Sequence, residues 1–148
     1  MGIAIGAIVL LVTGWIFWQV DDWSRDFTTN HAQLDPAADD PLLRPVLAAE
    51  SVGQLAARVL SFVETTPHWQ VERQRGGPDG TELHLTRTTS LFRYVDDIQV
   101  RISPVDGGAQ LDAESQSRLG KGDLGQNPRN LKELVRGIDG FPSLQEPR

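Results

Sequence analysis

"VDDIQVRISPVDGGAQLDAESQS", Val95 to Ser117, is the stretch that decides the fold. Ile98, Val100 and Ile102 alternate with Gln99 and Arg101. "PVDGG" at Pro104 to Gly108 is a turn, after which Leu111 and Ala113 alternate with Gln110, Asp112 and Glu114. A period of two on both sides of a turn predicts two antiparallel strands with one apolar and one polar face. The same pattern holds upstream. Trp69 and Val71 alternate with Gln70 and Glu72, "GGPDG" at Gly76 to Gly80 turns the chain, and Leu83 and Leu85 alternate with Glu82, His84 and Thr86.

Helical spacing brackets these four strands. "SVGQ" at Ser51 to Gln54 has the form of a capping box, and Val52, Leu55, Val59, Phe62 and Val63 then form one apolar face up to Pro67. Asn127 and Pro128 read as N-cap and first residue of a last helix, with Leu131, Leu134, Val135 and Ile138 as its buried stripe and Gly140 and Pro142 at its end. The order helix, four strands, helix predicts an α+β domain over residues 46–142, a four-stranded antiparallel sheet with one face covered by two helices. Residues 24–45, with Pro36, Pro41, Pro45 and scattered Asp, read as an acidic tether, and residues 143–148 as a tail.

Ahead of the tether, Ile3 to Val20 is uncharged and predominantly apolar. Eighteen residues of helix span roughly 27 Å, enough to cross a bilayer core. Trp15, Trp18 and Trp23 gather at the far end, where amphipathic rings favour the headgroup layer. A basic leader region and a small-residue cleavage site are missing, so a single transmembrane anchor over residues 1–23 is expected in place of a cleaved signal. The downstream flank is poor in Lys and Arg, which predicts a domain on the non-cytoplasmic side of an inner cell membrane, periplasmic in a bacterium.

Charge and composition exclude several classes. The 148 residues carry a net charge of −6, with no basic footprint for nucleic acid. Cysteine is absent, which removes disulfides, thiolate metal sites and thiol nucleophiles. His31, His68 and His84 lie in no triad setting and no metal-ligand spacing, and no cofactor motif is present, so neither a cofactor nor a metal nor a set of catalytic residues is assigned.

Chemistry concentrates in "ESQSRLGKGDLGQNPRN", Glu114 to Asn130. Strand parity puts Ser115 and Ser117 on the inner face, where small hydroxyl residues need hydrogen-bond partners. Arg118 has the opposite parity. Asp96 and Asp97 open the neighbouring strand on opposite faces, so they cannot easily share a proton as an acid–base pair. Arg118 is expected to pair with one of them, while Asp123 and Asn127 shape the loop and Gly120 and Gly125 free its backbone. Arg118, Lys121 and Arg129 near a helix N-terminus are also candidates to hold a phosphate or carboxylate. A structural staple between the last strand and the last helix is the simpler account of the same residues.

"SLFRYVDDIQVRI" at Ser90 to Ile102, with the S-x-S-R-x-G-x-x-D-x-G-x-N-x-x-R run from Ser115 to Arg129, resembles the domain of unknown function 1499 family. Asp96, Asp97, Ser115, Ser117, Arg118, Gly120, Asp123, Gly125, Asn127 and Arg129 carry the resemblance. It supports one domain from about Leu43 to the final helix and implies no reaction. Two functions stay open. One is a membrane-anchored, non-enzymatic binding or accessory domain, whose partners would be the bilayer through Ile3 to Val20 and a larger membrane complex or an anionic lipid. The other is an enzyme using Asp96 or Asp97 with Arg118 on a small anionic substrate.

Overall fold

The computed structural model describes residues 30–90, 93–119 and 125–140. Its strands are β1 (His31–Gln33), β2 (Val46–Ala48), β3 (Trp69–Gly77), β4 (Gly80–Thr88), β5 (Val95–Val105) and β6 (Gly108–Ser117), and its helices are α1 (Val52–Thr65) and α2 (Gln126–Gly140). In the meander β3–β4–β5–β6 the last three strands follow the alternating sequence, with Leu85 opposite Ile98 and Val100 opposite Ala113. β3 departs from it: Trp69 is buried but Val71 is exposed, beside a register shift between Val71 and Arg73. Leu83, Leu85, Ile98, Val100, Ile102 and Leu111 form the buried face, against Leu55, Val59, Phe62, Leu131, Leu134 and Ile138 of the helices. Burying each such side chain is worth about 1.5–3 kcal/mol, which is why the period-two face and the helical stripes must meet.

The sheet is larger than the sequence predicts: six antiparallel strands, not four. β1 comes from the Pro-containing stretch expected to be a tether and β2 from the residues just after it, and both pair with β6. His31 lies opposite Gln116 and Val46 opposite Leu111. Between them the Leu34 N–H donates to the Ala113 carbonyl at 2.9 Å, and the chain then detours through a 3-10 turn at Pro41–Leu43 before rejoining the edge. Leu42 and Leu43 in that turn pack on the core. Prolines interrupt the strand without abolishing it, since an edge strand needs only one row of partners.

The expected transmembrane helix is not among the elements described. Ile3 to Val20, with Trp15, Trp18 and Trp23, lies outside the described residues. Among the described residues no helix is long and apolar enough to cross a membrane.

Local signals set the helix ends. The Gln54 N–H donates to Ser51 Oγ at 3.3 Å and the Ser51 N–H to Gln54 Oε1 at 2.9 Å, the reciprocal capping box read from the sequence. Arg58 joins the helices: one guanidinium nitrogen bonds Glu50 Oε1 at 2.6 Å and another the Ile138 carbonyl, satisfying an acceptor in the last turn of α2. The β3–β4 turn depends on Gly80, whose φ is +132° and whose added Cβ would lie 2.1 Å from the Ile102 carbonyl oxygen. Gly80→Ala meets both the left-handed strain and a backbone clash, so it is expected to lower unfolding free energy by about 1–3 kcal/mol in chemical denaturation.

Candidate functional site

The end of β6 carries two polar clusters, one on each face of the sheet. Ser115 and Ser117 point inward, as their parity predicts, and are buried. Asn127 meets both from α2. Ser115 Oγ donates to Asn127 Oδ1 at 2.6 Å, and Asn127 Nδ2 donates to Ser117 Oγ at 3.2 Å and to the Asn30 carbonyl at 2.7 Å. That carbonyl also accepts the Ser117 N–H at 3.0 Å. One fully buried amide thus fastens β6, α2 and the chain entering β1.

Asn130, one turn further along α2, extends the network. Its Nδ2 donates to Asp96 Oδ2 at 2.9 Å and to Ser115 Oγ at 3.2 Å. Its Oδ1 accepts from Gln126 Nε2 at 2.7 Å, and Gln126 Oε1 accepts from Arg129 Nη2 at 3.3 Å. Asp96 is 1 % exposed, opposite Ser117 in the register. The helix begins at Gln126, one residue before the expected N-cap, so Asn127 lies within the first turn and its side chain serves the buried network instead of capping the helix. Gly125, at φ +75°, supplies the left-handed residue just before it.

Asp97 faces the other way. Arg118 Nε and Nη2 donate to its two carboxylate oxygens, both at 2.8 Å, and His84 Nε2 lies 2.7 Å from Oδ1. Register explains the meeting: Asp97 is opposite Gln116 on one side and Thr86 on the other, so Arg118 and His84 are its diagonal neighbours on the same face. The bond from Arg118 holds the Asp97 carboxyl below its ordinary value; burial opposes this, and His84 adds to it. Arg118 chooses Asp97 over Asp96, and the pair is open to solvent, with the Arg118 side chain 49 % exposed.

The predicted residues therefore separate. Asp96, Ser115, Ser117, Asn127 and Arg129 belong to the helix side, and Asp97 and Arg118 to the uncovered side. The two aspartates cannot chelate one ion or share one proton. The anion site expected from Arg118, Lys121 and Arg129 does not assemble, because Arg118 and Arg129 lie on opposite sides of the sheet; Lys121, like Gly120 and Asp123, is outside the described residues. Sequence alone does not single out Asn30, His84, Gln126 and Asn130 for these roles. Asn127 and Asn130 share the face of Leu131, Leu134 and Ile138, and two amides on an apolar stripe are the signal that marks them.

Fold and site define a class: a small α+β domain whose last helix is stapled by buried serines and asparagines to one end of an antiparallel sheet. The chain belongs to the family described as "Protein of unknown function (DUF1499)", whose model matches residues 21–138. No curated protein matches the chain, and no solved structure does.

Two outcomes are expected. Asn127→Ala leaves the buried Ser115 hydroxyl without its acceptor and Ser117 Oγ without its donor, at about 1–3 kcal/mol for each left unsatisfied, and should lower the melting temperature far more than Arg118→Ala, which opens a surface pair. In the second, the depressed Asp97 value means that its contribution to stability is complete above the unfolded carboxylate range, near about 3.9, and is lost as pH falls through the folded value. The melting-temperature gap between wild type and Asp97→Asn should be widest above about pH 5 and close as pH drops below about 3.9.

Proposed function

We propose that this chain is a non-enzymatic binding or accessory domain held at a membrane through the apolar segment Ile3 to Val20, with the domain on the non-cytoplasmic face. The carrying observation is that the motif side chains bond one another. Arg118 is closed on Asp97 by two 2.8 Å bonds, and Asp96 bonds Asn130 on the opposite face. A substrate-binding arginine beside a free carboxylate is what the enzyme reading requires, and this arrangement disfavours it. Neither Ser115 nor Ser117 has a histidine partner among the described residues; His84 bonds Asp97 on the other face and His31 bonds Glu114.

The membrane part rests on sequence. The uncharged stretch is long enough to cross a bilayer core, and the Lys- and Arg-poor flank favours export of the domain on its carboxyl side. Its partners would be the bilayer and a larger membrane complex or an anionic lipid. A reporter fused after Arg148 should be active outside the cytoplasm, and the full chain should stay in the membrane pellet after alkaline wash. Release of the full chain into the wash, or a cytoplasmic reporter signal, overturns the reading.

A further inference from the structure

Arg129, Lys132, Glu133 and Arg136 recur at helical spacing along α2, and with Arg87 from β4 and Gln126 they line a groove of about 490 Å³. Among the described residues four cations and one carboxylate line it, in a chain whose net charge is −6. We propose that this groove binds a phosphate-bearing anion, and that the headgroup of an anionic lipid is its source.

The charges are arranged for such a ligand. Glu133 Oε2 is taken by Arg87 Nε at 2.9 Å, so the one carboxylate in the groove is already neutralised. Lys132 Nζ reaches Asp40 at 3.0 Å on the rim, and Arg136 is exposed. Arg129 is the preorganised member. Its guanidinium is steadied by Gln126, Gln126 by Asn130, and Asn130 by buried Asp96. A planar fork held before the ligand arrives loses less freedom on binding, and guanidinium forks match phosphate oxygens in pairs. The buried network thereby acquires a purpose at the surface: it sets the helix and the arginine that face solvent.

The path of the chain selects the source. Asn30, where the described chain begins, is bonded to Asn127 in the first turn of α2, two residues from Arg129. Nine residues lie between Val20 and Asn30, and the ten chain steps reach at most about 35 Å. A chain held in a bilayer by its apolar segment therefore enters the domain at the end where the groove starts. The headgroup assignment rests on the membrane reading above; the phosphate chemistry of the groove does not.

The test uses the full chain in micelles of an uncharged detergent. Phosphatidylglycerol and phosphatidylcholine with the same acyl chains are compared by native mass spectrometry, and glycerol phosphate is titrated by calorimetry. Wild type should retain phosphatidylglycerol about tenfold better than phosphatidylcholine. Arg136→Glu, on an exposed side chain, and the double variant Arg129→Ala with Arg136→Ala should lose that preference. Arg75→Ala with Arg101→Ala removes the same charge elsewhere and should keep it. No preference in wild type, or a preference that survives Arg136→Glu, overturns the proposal. Glycerol phosphate binding as tightly as the lipid keeps the groove and overturns the headgroup assignment. Groove-dependent glycerol phosphate binding by a chain that leaves the membrane in alkaline wash marks failure of the membrane reading alone.

Discussion

One buried amide, Asn127, sets the constraint on which the rest depends. Its acceptor and donor atoms are used on Ser115, Ser117 and the Asn30 carbonyl, so three segments distant in sequence are fixed by one side chain. Hydrophobic contact between α2 and the sheet is large but tolerant of sliding, because apolar side chains do not prefer one neighbour strongly. Hydrogen bonds in a dry interior do, since a shift of even an ångström would leave several buried polar atoms unsatisfied. The amide supplies register to an interface whose adhesion comes from Leu131, Leu134 and Ile138.

The adjacent aspartates show how strand geometry divides one dipeptide between two environments. Successive side chains on β5 face opposite sides, which sends Asp96 into the helix layer and Asp97 onto the uncovered face. Asp96 receives an amide donor, and Asp97 a guanidinium and an imidazole. A shift of β5 by one residue would exchange the two and break both clusters together, so the pair specifies the pairing of β4, β5 and β6 as firmly as the apolar face does.

Much of this is legible in the residues. Alternation marks the four long strands, the capping box marks the start of α1, and parity sends Ser115 inward and Arg118 outward. The short strands β1 and β2 are not legible. Three residues are too few to establish a period, and each pairs with a partner more than sixty residues away. Their stability comes from β6 and not from local preference. Asn130 escapes a sequence reading for a related reason: its partners Asp96 and Ser115 become neighbours only once β5, β6 and α2 are assembled. The Asp97–Arg118 pairing is one of the alternatives that sequence leaves open, and register decides it.

The placement of β1 and β2 at the edge of β6 has a consequence for synthesis. Residues 31–48 leave the ribosome before the meander, yet the strand they pair with ends at Ser117 and the helix that locks Asn30 in place ends at Gly140. A segment made before the meander is thus among the last that can be fixed. Until then its apolar residues, Leu34, Leu42, Leu43 and Val46, have no complete core to join. Long-range closure of this kind slows folding relative to a local meander and lengthens the interval in which an unpaired edge is open to other chains.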